Sequence, residues 1–180
     1  MRKVLFILGE LTEQDLDWLV TRGSPQTAVR GRAIIVQGQP IDSMFIILDG
    51  SFAVVAGAHE DKPLAVVGSG EIVGEMSLVD QGPPSATVRA REDSRVLAIA
   101  RADLEEKLRT DIGFNARFHR ALALFLADRL RNTFRTMGQG SAFSLREDVL
   151  EDHEVDPAVL DKVAIAGLRF ETMLRRLIPD

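Results

Sequence analysis

The sequence contains no cysteine. That excludes disulfide frameworks, thiol catalysis and cysteine-type zinc sites, and it suits a protein of the reducing cytoplasm. Basic residues are in deficit: 22 Lys and Arg against 27 Asp and Glu leave a formal net charge of -5. A nucleic-acid footprint needs Lys and Arg clustered on one face, so the charge balance argues against DNA as a partner. Long apolar runs are missing as well. The longest, Ala121 to Ala127, falls far short of the roughly 20 residues that a membrane-spanning helix needs, so no membrane span is expected. Met1-Arg2-Lys3 ahead of Val4 to Leu8 has the order of a signal peptide, but the apolar run is short and no small-residue cleavage site follows. This end is read as mature protein.

Histidine is scarce, with three residues in all. His59 falls in a predicted hairpin loop, His119 on a helix and His153 in an acidic tail. A jelly-roll metalloenzyme would need several His or carboxylates projecting from adjacent strands, so no metal site is expected. Glu105-Glu106 and Glu151-Asp152 are adjacent pairs, and adjacent helix positions do not face one another. No nucleophile elbow surrounds any Ser. No catalytic residue is assigned, and the chain is read as non-enzymatic.

What is present is an ordinary globular mixture, 46% hydrophobic and 27% charged, enough for one main core and a small helical annex. Thr12-Glu13-Gln14-Asp15 has the form of a capping box with Asp in place of Glu, and Leu11, Leu16 and Leu19 share one face, which predicts a helix over 12–22. From Ser24 to Ala100 the period shortens. Ala33 to Val36, Met44 to Leu48, Phe52 to Val55, Leu64 to Val67, Thr87-Val88 and Val96 to Ile99 read as strands. Gly31, Gly38-Gln39-Pro40, Asp49-Gly50, Gly57, Gly68-Ser69-Gly70 and Gly82-Pro83-Pro84 punctuate them as turns. Many short strands between closely spaced turns predict a sandwich or roll.

After Arg101 the pattern turns helical. Phe114, Phe118, Leu122, Leu126, Leu130 and Phe134 form a four-residue row widened by Leu124, Phe125 and Met137. A stripe this wide covers the roll and leaves apolar surface over, which suits a homodimer through the helix 112–137; a core helix of a monomer is the alternative. Gly138-Gln139-Gly140-Ser141 reads as a hinge, and Asp156-Pro157 opens a further amphipathic helix. A winged reading head would need more chain and a basic recognition helix.

The segment from Gly70 to Ala90, GEIVGEMSLVDQGPPSATVRA, is the most informative. Gly74-Glu75-Met76-Ser77-Leu78-Val79, then Pro83 and Ser85-Ala86-Thr87-Val88, resembles the phosphate-binding cassette of cyclic-nucleotide-binding domains. Gly31, Gly38 and Gly50, with Met44 to Leu48 before the last, agree with it. The resemblance covers roughly 10–137 and is nearest in architecture to bacterial regulators of the catabolite-activator type. It implies an α+β, mainly β fold: a double-stranded β-helix or jelly roll over about 24–100, with an N-terminal helix and C-terminal helices over about 101–137. The extension 138–180 lies outside it.

The resemblance implies ligand contacts from Gly74, Glu75, Met76, Ser77, Pro84, Ser85 and Ala86, with cAMP or cGMP as the ligand. Glycine lets a phosphate approach the helix start, and the Glu that follows accepts from the ribose 2′-hydroxyl. The family places an Arg at position 84, where this chain has Pro. Proline offers neither charge nor N–H, so a charged hydrogen bond worth about 1.5 to 3 kcal/mol is missing, about ten- to a hundredfold in affinity. Strand alternation sends Arg89 outward, away from rescue. Thr133, with Asn132 beside it, aligns with residues that touch the base. Without a ligand, Glu75 would cap the cassette helix or pair with an Arg, and the chain would act as a scaffold for a protein partner.

Overall fold

The computed structural model describes residues 5–57, 63–138 and 157–178, with side chains described over 8–57, 63–131 and 165–178. Two helices, α1 (Leu5–Glu10) and α2 (Glu13–Arg22), precede the strands β1 (Ser24–Ala28), β2 (Ala33–Ile35), β3 (Ser43–Asp49), β4 (Ser51–Val55), β5 (Ala65–Gly68) and β6 (Ile72–Val73). A short helix α3 (Glu75–Asp80) interrupts them before β7 (Thr87–Ala90) and β8 (Ser94–Ala100). Three helices follow: α4 (Arg101–Thr110), α5 (Ile112–Gly138) and α6 (Pro157–Leu177).

The strands form two four-stranded sheets, ordered β1-β8-β3-β6 and β2-β7-β4-β5, with every pairing antiparallel. The expected mainly β roll with flanking helices is what the chain builds. Side-chain alternation divides its core in two. Phe45 and Ile47 of β3, with Val96 and Ala98 of β8, face the second sheet and pack on Phe52, Val54, Val67 and Val88. Met44, Ile46 and Leu48, with Leu97 and Ile99, face the other way, onto Leu11 between α1 and α2 and onto Leu19, Leu104, Phe114 and Phe118 of the helices. β3 and β8 are therefore buried on both faces, and their near-continuous apolar runs follow from it.

Three elements escaped the sequence pattern. β1 is an edge strand carrying Pro25 and little apolar content, and an edge is where a sheet tolerates proline. β6 has only two residues. α1 is a short helix in the run read above as a signal-peptide resemblance.

At α2 the capping box forms as read: Asp15 N–H donates to the Thr12 hydroxyl at 3.3 Å, and Thr12 N–H donates to Asp15 Oδ2 at 2.8 Å. Asp15 then does a second job. Arg117 of α5 donates to it through Nε at 2.7 Å and Nη2 at 2.9 Å, which pins the long helix to the N-terminal pair.

α6 begins at Pro157 as the sequence suggested, while Asp156 lies outside the described residues. It packs back on the helical side of the core, burying Ala166 and Met173 and resting Phe170, Leu174 and Leu177 on the same cluster as α1 and α5. Arg169 Nη1 donates to the carbonyls of Leu8 at 2.9 Å and Leu11 at 2.6 Å, closing the C-terminal end of α1. His119 is exposed on α5. His59 and His153 lie outside the described residues.

Candidate functional site

Between β6 and α3 the chain turns at Gly74, with φ 88° and ψ 0°. A β-carbon there would meet Ile41 Cδ1 at 3.1 Å and the Ser43 carbonyl oxygen at 3.2 Å, on top of the strain of a left-handed backbone. Glycine is required on both counts. The opposite wall is the segment leading into β7. The Pro84 carbonyl accepts from Gly38 N–H at 2.9 Å, and the Thr87 hydroxyl accepts from Gln37 N–H at 3.0 Å. These bonds fasten residues 84–87 to the turn after β2.

Between the two walls lies a cavity of about 60 Å³. Gly74, Glu75, Met76 and Ser77 line one side and Pro84, Ser85 and Ala86 the other, with Ile35, Val54, Val73 and Val88 completing it. All seven cassette residues singled out in the sequence meet here. Thr133 lies on α5 outside the residues whose side chains are described.

One lining residue escaped the sequence reading. Arg129 of α5 reaches across to the cassette, and its Nη1 donates to Glu75 Oε1 at 3.0 Å. The guanidinium also stands over the Phe125 ring, 5.8 Å from its centroid, one helical turn back. Nothing local marks Arg129 out, since Arg131 follows it closely and both suit a solvated helix face. Only the placement of α5 beside α3 selects it. Arg89, by contrast, donates to the Gly31 carbonyl at 2.9 Å and does not line the cavity, as alternation along β7 required.

The pair is lopsided. The Glu75 side chain keeps 2% of its surface exposed and Arg129 keeps 29%. Burial pushes the Glu75 carboxyl above its ordinary range, and the attraction of Arg129 only partly offsets that push. The arrangement offers a buried acceptor, a part-exposed guanidinium paired with it, and an apolar lining. Those are parts for holding a ligand. Among the described residues no three His, Asp or Glu side chains gather to hold a metal ion, and no helix is long and apolar enough to cross a membrane.

Antiparallel sheets rolled around an apolar interior, with a pocket beside the short helix α3, define a β-roll domain. The model of the cyclic nucleotide-binding domain matches residues 25–111, and the chain belongs to that family. It is 32% identical over 96 residues to the cyclic AMP receptor protein of Thermus thermophilus, a match covering 52% of this chain and 44% of that one. A cyclic nucleotide-binding domain from Methylobacillus flagellatus shares the fold with a TM-score of 0.69 at 22% identity, covering 80% of this chain and 85% of that one. The N-terminal domain of a Streptomyces coelicolor transcriptional regulator is 30% identical with a TM-score of 0.58, over 78% of this chain and all of that one. The chain spans less than half the length of the curated relatives it matches.

Proposed function

We propose that this chain is a non-enzymatic, effector-sensing module that binds a cyclic nucleotide, cAMP or cGMP, between Gly74–Ser77 and Pro84–Ala86. The observation that carries this reading is the buried Glu75 carboxylate in the cavity wall, held by a guanidinium that comes from another element. A ribose hydroxyl donates to Glu75 in place of Arg129. The released guanidinium then meets the cyclic phosphate and supplies the cation that Pro84 cannot. In this exchange each group trades one partner for another rather than going unpaired.

This exchange has a mechanical consequence. A cavity of about 60 Å³ is smaller than the roughly 150 Å³ that accommodates a single benzene ring, so a nucleotide enters only when Arg129 swings aside. Arg129 rides on α5, and occupancy is therefore felt by that helix. Leu124 and Leu130 of α5 are exposed, 39% and 56%, and the reading has them packing against a second copy of the helix 112–137 in a cytoplasmic homodimer.

The second reading is a ligand-free scaffold for a protein partner. The small cavity, the Glu75–Arg129 pair and Pro84 favour it. Calorimetric titration with cAMP and cGMP separates the two. Saturable binding that disappears in Glu75→Ala supports the sensor. Silence with both nucleotides, in the native chain and in Pro84→Arg alike, supports the scaffold.

A further inference from the structure

A larger cavity lies away from the cassette, where α6 meets α2. Its volume is about 250 Å³ against about 60 Å³ at the cassette. It is a cleft open to solvent, with Glu13, Asp17, Thr172 and Arg176 exposed along its rim. Glu13, Leu16, Asp17 and Val20 form its α2 wall, and three- and four-residue spacing puts them on one face. Arg169, Thr172, Met173 and Arg176 form the α6 wall by the same spacing. Leu16 and Met173 are buried and give the cleft an apolar floor.

The charged groups divide into spent and unspent. Asp17 and Arg176 pair with each other across the cleft. Glu13, exposed on the α2 wall, has no hydrogen-bond or ion-pair partner among the described residues. Arg169 is half-buried and commits only Nη1, to the carbonyls of Leu8 and Leu11. Its Nε and Nη2 donors make no hydrogen bond among the described residues, and the two carbonyls fix its planar head in place. The cleft thus joins one available carboxylate, one available guanidinium edge and an apolar floor, and its four charged side chains sum to zero.

We propose that this cleft is a second small-molecule site, separate from the cassette, and that its ligand is an apolar α-amino acid. The carboxylate meets Arg169, the ammonium meets Glu13, and the side chain lies on Leu16, Val20 and Met173. With Arg176 paired to Asp17, a phosphate dianion would have only the Arg169 edge to answer it and would face the Glu13 carboxylate, and a plain fatty acid would leave Glu13 without a partner in the ligand. The space exceeds that needed for a benzene ring, so a side chain as large as phenylalanine's fits. Because the two walls belong to α2 and α6, the bound ligand holds the C-terminal helix against the N-terminal one.

The test uses the full chain, calorimetry and thermal melting, with L-phenylalanine, L-leucine, 3-phenylpropionate and 2-phenylethylamine as probes. The expected result is saturable binding of L-phenylalanine that raises the melting temperature and is at least about tenfold tighter than for the two analogues lacking one charge. Glu13→Gln should weaken L-phenylalanine about tenfold and leave 3-phenylpropionate unchanged. Val20→Trp, which fills the cleft, should abolish binding while the circular dichroism spectrum stays native. Glu75→Ala should leave L-phenylalanine binding intact, which separates this site from the cassette. The proposal is overturned if neither amino acid binds at about 10 mM, if 3-phenylpropionate binds as tightly as L-phenylalanine, or if Glu13→Gln has no effect.

Discussion

Two of the arginines on helix α5, Arg117 and Arg129, each meet a buried carboxylate on another helix, yet the two pairs differ in kind. Arg117 grips the Asp15 carboxylate with two nitrogens, and that carboxylate also accepts from the Thr12 backbone N–H. Burial acts to raise its carboxyl, but the bonds from Arg117 and Thr12 outweigh it and hold Asp15 below the ordinary range. Arg129 touches Glu75 with one nitrogen, burial dominates, and Glu75 is pushed up. Both carboxylates are almost fully hidden, with 3% and 2% of the side chain exposed, so burial alone does not separate them. The number and geometry of the bonds do. A carboxylate answered by several donors fixes a helix, whereas one answered by a single nitrogen beside a cavity keeps acceptor capacity unused.

The largest effect is expected from breaking the fully answered pair. Asp15→Ala strands Arg117 and should cost about 3 kcal/mol in urea unfolding, the low end for a broken buried pair because Arg117 keeps 33% of its side chain in water. Nucleotide affinity should be unchanged. Pro84→Arg comes next, since it adds a phosphate partner and should tighten cAMP about ten- to a hundredfold by calorimetry. If it also displaces Arg129, the native chain's dependence of binding on Arg129→Met should vanish in that background. Glu75→Gln keeps an acceptor for Arg129 and should shift stability by no more than about 1 kcal/mol, while nucleotide binding weakens more than stability does. A large loss of stability with unchanged binding would make Glu75 a structural residue like Asp15.

The smallest effect is the pH dependence, where the two pairs have opposite signs. Asp15 has a lowered folded pKa, so its contribution is present above the ordinary aspartate value of about 3.9 and fades as pH falls below it. Glu75 has a raised folded pKa, so its contribution is greatest below the ordinary glutamate value and fades as pH rises through the raised one. Urea midpoints between about pH 3 and about pH 7 should show Asp15→Asn flattening the acid limb and Glu75→Gln flattening the loss on the other side. Both variants flattening the same limb would dissolve the contrast.

Much of this architecture was legible in the chain because it rests on short-range rules. The capping box of α2 closes over three residues, the two-faced burial of β3 shows as an unbroken apolar run, and Gly74 announces a backbone that only glycine adopts without strain. β1 was hidden because its residues are polar and its Pro25 is acceptable only once the strand is known to lie at an edge. The cassette could be read as a cluster because its two halves are the start of one short helix and the segment a few residues after its end. Arg129 could not. It stands 54 residues from Glu75, and its neighbours on α5 include other arginines with the same local preferences.

By itself, then, the sequence determined the elements, their faces and the positions where the backbone must turn, because helix periodicity, strand alternation and positive φ each depend on a few neighbouring residues. The tertiary structure alone decided which charges meet. Arg169 closes α1 from 158 and 161 residues away, and Arg129 answers Glu75 from 54 residues away. Those pairings depend on how the helices pack across the core, and no local pattern encodes a separation of 54 or 158 residues.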